Sequence, residues 1–150
     1  MTMIGFFIGG MLGSKFGSHK IMTYAVGLGT VMTIVWSLLR ANWTNPDFMQ
    51  FYWMLWTIVW GVVGANLIAL LMSVTTSDLG GSQFSVYMTG INFGAILGTQ
   101  VSPAVFDLVG ENYPNLFLVG AGFQVIVLLV LIGMGKSMTP VEDSTPAAAE

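Results

Sequence analysis

Cysteine is absent from this 150-residue chain, and charged residues make up only 7% of it. Without cysteine there is no disulfide framework, no thiolate metal site and no cysteine nucleophile. A soluble domain carries about 25% charged residues, so this chain has too few to cover a water-exposed surface. Its four Lys and Arg residues are also too few to neutralise a nucleic-acid backbone. These shortages exclude a soluble globular domain, a disordered chain and a nucleic-acid binder.

Apolar residues are abundant, at 55% of the chain, and the mean hydropathy is +0.80. The few charges fall between long uncharged stretches. About 20 apolar residues cross a bilayer as a helix, and a charge at the helix centre is costly. The run 124–132 lacks the polar-apolar alternation of a membrane β-barrel. The sequence therefore predicts an all-α, polytopic membrane helix bundle with four full transmembrane helices, at 21–39, 50–73, 83–104 and 115–135.

The two ends of the chain differ from these spans. Residues 1–13 would extend only about 20 Å as a helix, against a hydrocarbon core of about 30 Å. No basic residue precedes Lys15, whereas a signal peptide has a basic segment before its apolar core. We therefore expect 1–13 to be a truncated helix, the distal half of a longer one. Residues 136–150 have the Pro, Ser and acidic content of a disordered tail, which leaves 1–135 as the transmembrane domain.

The basic residues predict an orientation. With the predicted spans, Lys15, Lys20 and Lys136 fall on one side of the membrane and Arg40 on the other. The positive-inside rule assigns the side with more Lys and Arg to the cytoplasm. The chain is thus expected to be a multi-pass protein of the cell membrane with a cytoplasmic C-terminus.

One segment between the first two predicted helices carries a motif. Residues 9–20 read Gly-Gly-Met-Leu-Gly-Ser-Lys-Phe-Gly-Ser-His-Lys, which resembles the cytoplasmic loop signature of the major facilitator superfamily, Gly-x-x-x-Asp-Arg-x-Gly-Arg-Lys. The residues on pattern are Gly10, Lys15, Gly17 and His19 or Lys20. Ser14 stands where the family has its acid, so it can form a hydrogen bond but supplies no charge. The alternative is a generic short basic turn between two helices.

The resemblance implies a position within a larger fold. In that superfamily the second copy of the signature lies between the eighth and ninth of twelve helices, so four helices and a cytoplasmic tail follow it. The four predicted spans would then be the ninth to twelfth helices. The stretch from Ala65 to Gly94 also looks like the peptide/acetyl-coenzyme A transporter branch, which includes the muropeptide permeases. There Gln83 and Phe84 match, and Gly81-Ser82 replaces Ala-Thr.

These resemblances imply a function for the chain. It would be the C-terminal portion of a permease that moves a small organic solute across the membrane by alternating access. Its partners would be the lipid bilayer, the solute and a missing N-terminal bundle. No enzyme activity and no cofactor are implied. Because His19 has no second ligand nearby in the sequence, no metal site is predicted. The alternative function is a complete small membrane scaffold or regulatory subunit without transport, which an open reading frame upstream of Met1 would argue against.

Polar and aromatic residues inside two of the spans are candidates for the substrate pathway. They are Trp56, Trp60 and Asn66 on the helix 50–73, and Thr89 and Asn92 on the helix 83–104. Each has a structural alternative, since Trp anchors helices at membrane interfaces and polar side chains hydrogen-bond between helices. The ridge of Gly90, Gly94 and Gly98 is predicted to pack against another helix. Gln124 is predicted to be a packing contact.

Overall fold

A computed structural model describes residues 1–75 and 80–137, with the backbone alone for 136–137. The described residues form helices and turns without a strand, which confirms the predicted all-helical class. The helices are α1 (Thr2–Phe16), α2 (Ser18–Leu38), α3 (Pro46–Ser73), α4 (Gly80–Leu108) and α5 (Tyr113–Ser137), with a short 3₁₀ turn at Arg40–Asn42. Asp78 and most of the predicted tail lie outside the described residues.

Within the described part of the chain, three helical segments are long and apolar enough to cross a membrane. They are Ser18–Leu38, Pro46–Ser73 and Tyr113–Gly135. The fourth predicted span corresponds to α4, which is 29 residues long but is not among the three. Its glycines and its Ser, Thr, Asn and Gln side chains make it less apolar than the other long helices. The helix α1, at 15 residues, is too short to be a candidate.

The start of α3 shows how the sequence sets a helix boundary. Asn45 is the N-cap, and its Oδ1 accepts hydrogen bonds from the backbone N–H groups of Asp47 at 3.0 Å and Phe48 at 3.3 Å. Pro46 occupies the first turn, where its missing N–H removes no helical hydrogen bond. The helix therefore starts four residues before the predicted span 50–73 and ends at Ser73, as predicted.

The most extensive helix contacts are those of α1 with α3, α3 with α2, and α2 with α5, and α1 also contacts α2. Contacts at both ends make α2 antiparallel to α5: Ser37 Oγ donates to Pro114 O at one end, and His19 Nε2 donates to Leu131 O at the other. α3 lies against both α1 and α2. The buried centre combines apolar residues of α2, α3 and α5, namely Met22, Ala25, Val26, Val62, Val63 and Leu131.

Glycines let α1 and α3 approach closely. Gly5, Gly9 and Gly13 are the buried residues of α1. A Cβ on Gly5 would lie 2.9 Å from Gly61 Cα and would clash with Ile58 O, and one on Gly9 would lie 2.8 Å from Val62 Cα. The spacing of four residues places these glycines on one face of the helix. The contact between α1 and α3 is therefore of the small-residue type that is common between membrane helices.

The junction between α1 and α2 corrects the prediction that a loop over 14–20 separates the helices 1–13 and 21–39. Only Gly17 separates the two helices, and its φ of +91° is a conformation that L side chains rarely adopt. Ser14 and Lys15 belong to the last turn of α1, and Lys20 belongs to the first turn of α2. Lysines near helix ends extend their charge to the membrane surface along an apolar stem, so they did not mark a loop here.

α4 stands apart from the other helices. It has no buried residue and makes only sparse contacts with α3 and α5. It joins α5 through a Schellman turn, in which Gly110 has a φ of +77°, Glu111 N donates to Phe106 O and Gly110 N donates to Asp107 O. No described atom within 4 Å would meet a Cβ on Gly90, Gly94 or Gly98. The packing of this ridge stays a prediction.

Candidate functional site

An aromatic cavity of about 450 Å³ lies between α2, α3 and α5. It is near the end of the bundle where α2 ends and α3 begins. We call this the aromatic end, and the opposite end, with Lys15 and Lys20, the basic end. The aromatic and polar side chains of its lining include Thr33, Trp36, Tyr52, Trp53, Trp56, Phe117 and Gln124.

The indole of Trp36 is the centre of this aromatic cluster. Its ring centroid lies 4.5 Å from that of Tyr52, 5.4 Å from Trp43 and 6.4 Å from Phe117. Trp43 Nε1 donates to Trp36 O at 3.1 Å, and Tyr52 OH donates to Met32 O. Because the polar atoms of Trp43 and Tyr52 are bonded to backbone, these rings are held in place. The wall of the cavity is thus fixed by contacts between α2, α3 and α5.

Two polar side chains face each other at the cavity. Thr33 is buried, and its Oγ1 lies 2.9 Å from Gly29 O and 3.3 Å from Gln124 Oε1. The contact joins α2 to α5 and confirms Gln124 as a packing contact. Gln124 forms no second side-chain hydrogen bond with the described residues. Whichever way its amide is turned, one terminal atom is left to bind a molecule in the cavity.

The predicted tryptophans lie at this site or beside it. Trp56 lines the cavity, and its ring centroid lies 5.3 Å from that of Trp53 and 5.5 Å from that of Trp60. Trp53 is 66% exposed, as expected of a side chain at a membrane interface. Trp60 packs against the core, and its Nε1 is buried without an acceptor among the described residues. The structure therefore brings Trp56 and Trp60 together on one side of α3.

Asn66 lies away from the cavity, between α3 and α1. It is 1% exposed, and its Nδ2 donates to Gly9 O at 3.1 Å and to Val62 O at 2.9 Å. Its Oδ1 lies against Gly13, so that a Cβ there would clash with it. The Nδ2 group is thus bonded to both helices that Asn66 joins. Its role in a substrate pathway stays a prediction.

Thr89 and Asn92 are exposed on α4, and the structure does not bring them to the cavity. Thr89 Oγ1 donates to Ser85 O at 2.8 Å within its own helix, as hydroxyls in helices often do. Asn92 has no hydrogen bond with any residue that the structure describes. A pathway along α4 would need a further element opposite this face.

The motif residues of the first junction separate into different environments. Gly10 is exposed with open space around it, whereas Gly17 forms the turn itself. Ser14 Oγ donates to Met11 O at 2.9 Å in its own helix, so it does not brace a neighbouring one. The Lys15 ammonium lies 5.3 Å from the Phe16 ring centroid. Lys20 is exposed beside a groove between α2 and α5.

Among the residues that line the cavity, Thr33, Trp36, Tyr52 and Phe117 were not predicted from the sequence. A signal was present, because Trp36 and Tyr52 flank the connection 39–45, and two antiparallel helices bring such flanking residues opposite each other. The described residues hold no group of three His, Asp or Glu that could bind a metal ion. The chemistry that the cavity offers is aromatic stacking, apolar contact and one amide.

Comparisons with protein-family models, with curated proteins and with solved structures gave no match to this chain.

Proposed function

We propose that this chain takes part in transmembrane transport of a small organic solute by alternating access, as part of a major facilitator transporter. The observation that carries the proposal is the aromatic cavity between helices able to cross a membrane. Its volume of about 450 Å³ is within the range of about 300–1,000 Å³ for small-molecule sites. The single-glycine turn at Gly17, with Lys15 and Lys20 on either side, supports the resemblance to the family's loop signature.

The proposal includes a fourth membrane crossing and an orientation of the chain in the membrane. α4 would be the fourth crossing, since its 29 residues at about 1.5 Å each exceed a core of about 30 Å. Its lower apolarity suits a helix that faces protein or water rather than lipid. With the basic end in the cytoplasm of a cell-membrane protein, the C-terminus is cytoplasmic and the aromatic cavity lies towards the outside.

Transport by this fold would require a second bundle that rocks against the first around the solute. The uncovered face of α4, with Thr89 and Asn92, is a surface on which such a bundle could act. In the aromatic cavity, the indoles of Trp36 and Trp56 would stack on the solute, and the Gln124 amide would bind a polar group of it. Because Gln83 and Phe84 match the peptide/acetyl-coenzyme A transporter branch, we propose muropeptide-like and acyl-coenzyme-A-like solutes as the first to test.

A binding screen tests this function. The purified chain would be titrated with short peptides, muropeptides, acetyl-coenzyme A and sugars, with tryptophan fluorescence as the readout, because Trp36, Trp53 and Trp56 line the cavity. A neutral hydrogen bond contributes about 0.5–1.5 kcal/mol, so Gln124→Leu should weaken binding by about two- to thirteenfold. Gln100→Leu, on the exposed face of α4, is the matched control. Equal weakening by both variants would contradict a site in the cavity.

The alternative function is that of a membrane scaffold or regulatory subunit. The observation that favours it is the length of α4 left uncovered among the described residues. This alternative predicts that no solute changes the tryptophan fluorescence and that a membrane partner protects α4 from labelling. Because the second bundle of a transporter would also cover α4, the two functions differ in whether a solute changes the tryptophan fluorescence.

A further inference from the structure

A second concave surface lies at the basic end of the bundle. It is an open groove of about 650 Å³ between α2 and α5. Its apolar part is formed by Gly27, Leu28, Leu128 and Ile132, and its polar end by His19 and Lys20. Neither the candidate solute site nor the resemblance accounts for this groove.

The apolar part has room for a chain-like group. Gly27 has no side chain, and a Cβ there would lie 3.8 Å from Leu128 Cδ1, an ordinary contact. Leu28 is 54% exposed and Ile132 is 45% exposed, so they form the rims of the groove. Both rims belong to segments that are long and apolar enough to cross a membrane. In a bilayer, an acyl chain would fill this space.

The polar end carries the positive charge of Lys20, which has no partner among the described residues. His19 Nε2 donates to Leu131 O at 2.9 Å, which fixes the imidazole across the two helices. Lys20 is exposed and forms no ion pair or hydrogen bond with any described residue. No acidic side chain is among the described residues that line the groove. The ammonium of Lys20 is therefore complementary to an anion at the groove mouth.

We propose that this groove binds one anionic phospholipid of the surrounding bilayer. The phosphate pairs with Lys20, and one acyl chain lies along Gly27, Leu128 and Ile132. Basic residues close to a membrane attract anionic headgroups, with about 1 kcal/mol per Lys or Arg. The inference goes beyond the proposed transport and requires only that the chain is embedded in a bilayer, so a failed solute screen leaves it standing.

Photo-crosslinking tests the site. The full chain would be reconstituted in phosphatidylcholine nanodiscs with a small fraction of phosphatidylglycerol that carries a photoreactive group on its acyl chain. We expect adducts, mapped by mass spectrometry, in 19–28 and 128–135. Lys20→Gln should lower their yield about fivefold. Lys15→Gln, which removes another exposed lysine, outside the groove, should not.

A second pair of variants tests the apolar part. Gly27→Leu would place a side chain where the acyl chain lies, and adduct yield should fall. Gly133→Leu, at a glycine with open space around it and outside the groove, should leave the yield unchanged. Adducts spread evenly over the exposed faces of all helices, or equal losses with Lys15→Gln and Lys20→Gln, would overturn the proposal. So would equal labelling by a photoreactive phosphatidylcholine.

Discussion

Asn66 and Asn92 illustrate at the residue scale how the same side chain serves different purposes in one bundle. Asn66 is buried and donates to Gly9 O of the neighbouring helix α1 and to Val62 O of its own helix α3. Asn92 is exposed and has no partner among the described residues. A buried amide without partners would be costly, so the bonds to α1 and α3 are what make Asn66 tolerable at its position. The two residues therefore differ in what their removal should do.

We predict that Asn66→Ala destabilises the fold and that Asn92→Ala does not. Interhelical hydrogen bonds in membrane proteins contribute about 0.6 kcal/mol on average and up to about 1.7, and the truncation also leaves space beside Gly13. The measurement is the unfolding free energy of the purified chain in mixed micelles, from a denaturing-detergent titration. Equal stability of the two variants would show that Asn66 is not a link between α1 and α3.

The candidate site could be predicted only in part from single residues. Trp56 and Trp60 are recognisable as large aromatic side chains on one face of a single helix. Trp36, Tyr52 and Phe117 lie on three different helices, and their contact depends on how α2, α3 and α5 pack. Periodicity within one helix carries no information on that packing. The cavity could therefore not be predicted from the sequence.

At the scale of helices, two elements carry the same glycine spacing with different outcomes. Gly5, Gly9 and Gly13 of α1 are buried against α3, whereas Gly90, Gly94 and Gly98 of α4 have open space around them. The spacing predicts that a helix can be approached closely, but it does not say which neighbour approaches. The glycine ridge on α4 was predicted to pack against another helix. Among the described helices, the glycines that form such a contact are those of α1.

We predict that Gly5→Ala lowers stability and that Gly10→Ala does not. A Cβ on Gly5 would clash with Ile58 O and lie 2.9 Å from Gly61 Cα, both backbone atoms, whereas a Cβ on Gly10 meets nothing within 4 Å. Overpacking of this kind typically costs about 1–3 kcal/mol. The comparison is made on folded yield and melting temperature in detergent, with Gly94→Leu as a further variant. If Gly94→Leu were as harmful as Gly5→Ala, the ridge of α4 would also be covered in the protein.

The helices themselves were largely predictable, because long uncharged stretches end near charges. The helix boundaries were less predictable at the junction between α1 and α2. Lys15 lies in the last turn of α1, where a positive charge is favourable to the helix dipole and can extend to the membrane surface. A charge therefore marks the edge of the membrane more reliably than it marks the end of a helix.

At the scale of the whole molecule, the bundle has two chemically different ends. The aromatic end carries Trp36, Trp43 and Trp53 together with the exposed Arg40, whereas the basic end carries Lys15 and Lys20. Aromatic side chains suit either membrane interface, but an excess of lysine is typical of the cytoplasmic side. The orientation thus depends on a small number of charges and should respond to changing them.

We predict that single cysteines at the two ends react from opposite sides of the membrane. The chain has no cysteine of its own, and Ser14 and Thr44 are exposed at the basic and aromatic ends. With a membrane-impermeant maleimide, Ser14→Cys should react only in inside-out vesicles and Thr44→Cys only in intact cells. Reversing Lys15 and Lys20 to Glu should produce mixed orientations, since it removes most of the positive charge on the inside. Reversing Arg40 to Glu instead should preserve the original pattern, because it removes the charge that opposes it. Reaction of Ser14→Cys only from outside would mean that the basic end faces outward and that the aromatic cavity lies towards the cytoplasm.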